Sequence, residues 1–226
     1  YNWNSFKEVK RLCVENKIHK WGFVKKGMAE IIHSRFGIST SFVMNYIKEP
    51  PRTALKLSDE IIKIGLWAIS PTWRKNPYAM IAATSLIPKA KIYGFGQSKH
   101  VSEYVDFFDI PSEIKSEPLP QSKMMDFLGT MHLNLYVTMS ECAPMTPLES
   151  LSAGSPCLIG PNSHYFEDND YLRERLVVSH PDKAYVISKY ITKALEDREA
   201  IIDEYRKYSQ VYNNSAKLSL EKFIEY

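Results

Sequence analysis

Between Lys63 and Gly160, short apolar runs alternate with stretches of helical periodicity, and no other feature of the chain restricts its fold as tightly. A run too short for a helix must be a strand covered on both faces, and the helical stretches between such runs are then crossovers. The pattern is that of βαβ units around a parallel sheet. "KIGLWAIS" (63 to 70) is the first expected strand, and "NPYAMIAATSLIP" (76 to 88) its crossover helix, with proline at a position that a helix start tolerates. "AKIYGFG" (90 to 96) is a second strand ending in two glycines, and a further strand is expected around "EYVDFF". Next come a helix in "LPQSKMMDFLGTM" (119 to 131), a buried strand in "LNLYVTMS" (133 to 140), a short helix in "TPLESLSAG" (146 to 154) closed by Gly154, and a strand in "PCLIG" (156 to 160). "RLVVSH" (175 to 180) is the last expected strand, before two amphipathic helices at about 182 to 196 and 198 to 226.

The first fifty residues do not share this alternation. "NSFKEVKRLCVEN" is helical in pattern, "HKWGFVKKGMAEIIHSRF" is a short strand and a helix, and "TSFVMNYIKEPPR" is an extended connector ending in prolines. The expected organisation is a remnant of a preceding domain and linker over 1–50, an α/β domain with helices on both faces of its sheet over 51–200, and a C-terminal helix over 201–226 that packs back. With 226 residues, 44% of them hydrophobic, the chain can bury one sizeable core. It opens on Tyr1 rather than methionine, as an excised or processed piece would.

The charge balance, 29 basic against 26 acidic residues, is scattered along the chain, so no nucleic-acid partner is expected. Cys13, Cys142 and Cys157 stand far apart without metal-ligand spacing, which argues against a disulfide framework or a zinc site and for a reducing compartment. The apolar runs are too short and too interrupted to span a bilayer, and no signal peptide is evident. A cytoplasmic location is expected, with peripheral membrane association left open.

One stretch departs from the apolar pattern. "SECAPMTPLES" carries Glu141 just beyond the strand "LNLYVTMS" and Glu149 in the first turn or two of the following helix. In a doubly wound sheet this is the edge where ligands gather. A helix N-terminus offers unpaired N–H groups, so the amides of Met145 and Thr146 suit phosphate oxygens, while Pro147 has none to give. Carboxylates repel phosphate and accept hydrogen bonds from hydroxyls, which sugars and riboses carry. A purely structural role, Glu149 complementing the helix dipole and Glu141 capping a loop, accounts for the acids equally well at this level.

"SECAPMTPLESLSAGSPCLIG" resembles the E-x7-E segment of retaining glycosyltransferases of the GT-B fold. Glu141 and Glu149 match the two acids, Ala153, Gly154 and Pro156 match the small-residue ending, and Ser150 stands where alanine is usual. "SPTWRKNP" and "YGFG" occupy the places of the family's basic loop and G-x-G strand end, and "FVMNYI" (42 to 47) that of the segment linking its two domains. The resemblance covers about residues 42 to 200 and implies that 51–200 is a Rossmann-like nucleotide-sugar-binding domain.

That resemblance implies roles residue by residue. Glu149 would accept hydrogen bonds from the ribose, Glu141 would face the donor sugar, and Lys75 would neutralise the diphosphate. The family's partner arginine falls at Ser70, so Arg74 is the candidate to take over its charge, and Cys142, Ala143 and Pro144 replace a G-F-G that would let the backbone approach the ligand. Basic side chains are disfavoured at a helix start unless an anion compensates them, which favours a functional reading of Arg74 and Lys75. Gly94 and Gly96 are either turn glycines or a place of close approach to the nucleotide. His164 is a weaker candidate for contact with sugar or acceptor, and His132 and Cys142 are expected to be structural. The donor would be a nucleotide-diphosphate sugar, the acceptor a glycan, lipid or protein hydroxyl. No cofactor or metal is expected, since no D-x-D motif falls in a strand-end loop, and an N-terminal acceptor-binding domain is expected as a partner. A nucleotide-sugar epimerase and a noncatalytic binding module remain open alternatives.

Overall fold

The computed structural model describes residues 3–48, 50–58, 60–67, 72–96 and 98–225. The chain divides into two compact units, Tyr1–Tyr46 together with Val211–Tyr226, and Ile47–Gln210.

In the smaller unit, α1 (Trp3–Val14) precedes β1 (Trp21–Phe23), α2 (Lys26–Phe36) and β2 (Thr40–Phe42). The two strands pair in parallel, Trp21 opposite Thr40 and Phe23 opposite Phe42, so α2 is a crossover helix. Two short strands do not hold together in water without a packed face. Here Cys13, Ile32 and Ile38 are buried, and Phe6, Val9, Ile18, Trp21 and Phe23 pack against them.

The larger unit contains β3 (Ile62–Leu66), a 3-10 turn (Trp73–Lys75), α3 (Pro77–Thr84), β4 (Ala90–Phe95), α4 (Lys99–Phe107), β5 (Ser112–Lys115), α5 (Gln121–Gly129), β6 (Leu133–Tyr136), α6 (Met145–Ser152), β7 (Cys157–Ile159), α7 (Asp170–Leu176) and α8 (Ala184–Glu196). The final helix, α9 (Arg198–Ile224), begins in this unit and ends in the smaller one. The five strands form one parallel sheet in the order β5-β4-β3-β6-β7. Ile64 of central β3 pairs with Ile92 on one side and Leu133 on the other, and all three side chains are fully buried. The chain therefore runs outward from β3 through β4 and β5, then returns to build β6 and β7 on the other side. Ligands of such sheets gather at the C-terminal edge where the strand order reverses.

The sheet is tied to α6 through a buried amide. Asn134 of β6 accepts from Trp67 Nε1 at 2.7 Å and donates to Ser150 Oγ at 2.8 Å and Ser155 Oγ at 3.0 Å. Ser150 in turn donates to the Ser155 carbonyl at 2.8 Å, so its hydroxyl links Asn134 to the turn after α6. Gly160, just past β7, lies so close to the Thr138 carbonyl that a Cβ there would sit 1.9 Å from its oxygen. Gly154 closes α6 in a left-handed conformation, φ 87°.

Several expectations are corrected. "EYVDFF" lies mainly in α4, because Val101 and Val105, four apart and fully buried, anchor one helical face and outweigh the β preference of the aromatic run. "RLVVSH" is not a strand. Leu172 and Leu176, again four apart and buried, extend α7 to residue 176, where Asn169 caps its start, and Val177 makes only a single bridge to Ile159. "TSFVMNYIKEPPR" begins as β2 before it becomes irregular. "LNLYVTMS" is a strand only through Tyr136, and "KIGLWAIS" only through Leu66, with Ala68 to Ser70 outside the described residues.

Candidate active site

The basic loop and the first acid meet beyond the C-terminal ends of β3 and β6. After β3, the 3-10 turn Trp73–Lys75 ends at Asn76, whose left-handed backbone (φ 54°, ψ 39°) turns the chain into α3. Asn76 is itself fixed, its amide donating to the Val137 carbonyl at 3.1 Å and the Pro181 carbonyl at 2.5 Å. The Arg74 carbonyl accepts from Met139 N at 2.8 Å, so the loop after β3 is stitched to the loop after β6.

On that frame Lys75 Nζ lies 2.5 Å from Glu141 Oε2 and donates to the Tyr136 hydroxyl at 2.7 Å. Tyr136 donates to the same Oε2 at 3.1 Å, and its ring centroid is 4.9 Å from the ammonium. Arg74 reaches Oε1 at 3.3 Å. Glu141 and Lys75 are 17% and 19% exposed, Arg74 47%, so the first two form a half-buried pair and the third a wet rim. Burial by itself would raise the Glu141 carboxyl pKa, but Lys75, then Tyr136 and Arg74, hold it below the ordinary carboxylate value. Burial would likewise lower the Lys75 pKa, and its bonds to Glu141 and Tyr136 reverse that and raise it. The Tyr136 phenol is raised, by burial against the opposing effect of Lys75, and stays protonated.

Glu149 is the fifth residue of α6, where Oε1 accepts from Gln121 Nε2, the first residue of α5, at 3.0 Å. Met145 and Thr146 open α6 behind Pro144, which supplies no side-chain cap and whose carbonyl accepts from the Tyr165 hydroxyl at 2.9 Å. Gly94 is buried within β4 opposite Ile114 of β5, and Gly96 adopts φ 64° and donates to the Glu117 carbonyl at 3.0 Å, an ordinary turn role. His164 packs edge-on against Tyr165, centroids 4.8 Å apart, and burial lowers its pKa to about 4. His132 accepts from Lys63 N at 3.0 Å and meets the Ser58 carbonyl at 3.1 Å through Nε2, a satisfied structural imidazole. Ser70, where the family places its arginine, lies outside the described residues.

Tyr136, Gln121 and Asn162, whose amide donates to the Met139 carbonyl at 2.5 Å, were not singled out by sequence. The one usable signal was a tyrosine in a run otherwise apolar, since a buried phenol demands a polar partner at the strand end. The Asp168-Asn169-Asp170 triplet does have the D-x-D form, but its asparagine caps α7 by accepting from Leu172 N at 2.9 Å. Among the described residues no group of three His, Cys, Asp or Glu is placed to hold a metal. None is in a helix long and apolar enough to cross a membrane. Two cavities, about 590 and 520 Å³, lie at the opposite edge of the sheet, around Ile62 and His132 and around Ala90 and Pro111.

No family model matches the chain, and no curated protein does. Solved structures do. Sucrose-phosphate synthase from Thermosynechococcus elongatus is 13% identical with a TM-score of 0.71, over 94% of this chain and 59% of its own. TarM is 15% identical with a TM-score of 0.70, over 98% of this chain and 45% of its own. WaaG, a glycosyltransferase involved in lipopolysaccharide biosynthesis, is 12% identical with a TM-score of 0.68, over 87% and 61%. The larger unit has the fold of a GT-B domain. The chain spans about half the length of these GT-B proteins.

Proposed function

We propose that this chain is the donor half of a retaining glycosyltransferase, binding a nucleotide-diphosphate sugar for transfer to a hydroxyl acceptor. The observation that carries the reading is the meeting of Arg74, Lys75 and Glu141 at the β3/β6 reversal, beside the loop that leads into α6 and Glu149. Two cations and a helix N-terminus suit a diphosphate, and two acids suit the hydroxyls on either side of it.

In this reading Glu149 accepts from the ribose and Glu141 from the sugar. As the bond between sugar and phosphate breaks, negative charge grows on the diphosphate. Lys75, Arg74 and the first amides of α6 stabilise it there. The acceptor oxygen forms its bond to the anomeric carbon on the face that the phosphate leaves, and its proton passes to the departing phosphate, so configuration is preserved without a protein nucleophile. Nothing in the scheme calls for a bound metal or for nucleic acid, and the acceptor is held by a further half outside this unit.

The test is a thermal-shift panel of UDP, GDP and ADP with their glucose conjugates, followed by product analysis. Stabilisation by one nucleotide and its sugar supports the reading. Turnover of the sugar nucleotide without acceptor would instead assign an epimerase, and indifference to Glu141 and Glu149 substitution a noncatalytic module.

A further inference from the structure

We infer that Tyr136 is a positioning residue that keeps Glu141 aimed at the donor sugar when Lys75 leaves it for the diphosphate, an inference that rests on the donor-site reading above.

Tyr136 is the last residue of β6 and only 8% exposed, so its hydroxyl must find partners. It finds two, accepting from Lys75 at 2.7 Å and donating to Glu141 Oε2 at 3.1 Å. Oε2 thus has two donors of different character. Lys75 is a charge on a flexible stem, and the phenol is a donor on the end of a buried strand.

In this structure both cations lie against Glu141. A diphosphate carries more negative charge than a carboxylate and competes for Lys75 and for the more exposed Arg74. Once they turn to it, Glu141 has lost its nearest countercharges. The phenol cannot follow, because its ring is packed at the strand end. It keeps its bond to Oε2, while Oε1, which meets Arg74 in this structure, is the oxygen that accepts from a sugar hydroxyl. Without that bond the carboxylate is held less firmly, and more of the cost of ordering it falls on the sugar.

Tyr136→Phe keeps the ring and removes only the hydroxyl. Calorimetry would use UDP, GDP, ADP and their glucose conjugates as probes. Affinity for the conjugate should fall about tenfold, while that for the plain diphosphate stays within about twofold. In a Glu141→Ala background the same substitution should change neither by more than about twofold, because the acceptor it orients is gone. Equal losses for both ligands, or an undiminished loss in the Glu141→Ala background, would make Tyr136 a packing residue and overturn this inference alone. Failure of the wild-type chain to bind any of the six probes would overturn the donor-site reading, and this inference with it.

Discussion

Replacing Lys75 by methionine keeps the stem and removes the charge, and it leaves Glu141 with Tyr136 and the wetter Arg74. Breaking a fully buried ion pair costs about 3 to 5 kcal/mol and an exposed one at most about 1 kcal/mol. With the two side chains 19% and 17% exposed, the cost falls between these limits, at about 2 kcal/mol. For a chain of this size that lowers Tm by about 4 to 8 °C. The loss depends on pH in a defined way. The depressed Glu141 pKa contributes stability above its unfolded value, about 4.3, which fades as pH falls through the folded value. The raised Lys75 pKa contributes stability below about 10.4, which fades as pH rises through the folded value. The gap between wild type and Lys75→Met should therefore be widest between about pH 5 and 10 and close at both ends. Calorimetric melts across that range, with diphosphate titrations at low and high salt, test both halves of the argument. Diphosphate affinity should drop, less so at high salt, while the nucleoside is spared. A Tm gap unchanged below pH 4, or equal losses for nucleoside and diphosphate, would refute the pairing and phosphate roles respectively.

Glu141→Ala should weaken the nucleotide sugar and leave the plain nucleotide within a few-fold in calorimetry, and equal losses would reduce Glu141 to a loop support. His164, buried with a lowered pKa of about 4, binds a proton more readily unfolded, so it draws down stability as pH falls from about 6.5 towards 4, by roughly 2 to 3 kcal/mol. His164→Gln should flatten that slope in denaturant titrations at several pH values. Gly160→Ala, forcing a Cβ to 1.9 Å from the Thr138 carbonyl, should cost about 1 to 3 kcal/mol or more and appear as a Tm loss with the site residues intact. The 226-residue chain alone should bind donor yet transfer it far more slowly than with an acceptor-binding half supplied, because proximity and water exclusion weigh more on transfer than on donor binding.

What the sequence discloses follows from how burial writes itself into a chain. Ile64 and Leu66, Leu133 and Leu135, and Leu158 sit in strands covered on both faces, so the sheet's centre is legible as apolar runs. The edge strand β5 is "SEIK", mostly exposed, and carries almost no such signal. The aromatic run Tyr104, Phe107 and Phe108 imitates a strand, whereas the helix it belongs to is betrayed only by Val101 and Val105. At the site, Lys75, Glu141 and Glu149 are visible as charges in the loops after two apolar runs and early in the helix that follows. The bond between Lys75 and Glu141 spans 66 positions and depends on strand order, which no local pattern encodes. Tyr136 was hidden because its apolar ring fits the strand, and only the fold shows where its hydroxyl goes.

The central claim, that this sheet edge holds a nucleotide-diphosphate sugar, is tested most directly by calorimetric titration of the wild-type chain and Glu149→Ala with UDP, GDP, ADP and their glucose conjugates. One base should be bound both as diphosphate and as sugar conjugate. Glu149→Ala should weaken both by at least about tenfold with its melting transition intact, as expected for a ribose hydroxyl deprived of a charged acceptor. Absence of binding to all six probes, or binding that Glu149→Ala leaves unchanged, would contradict it.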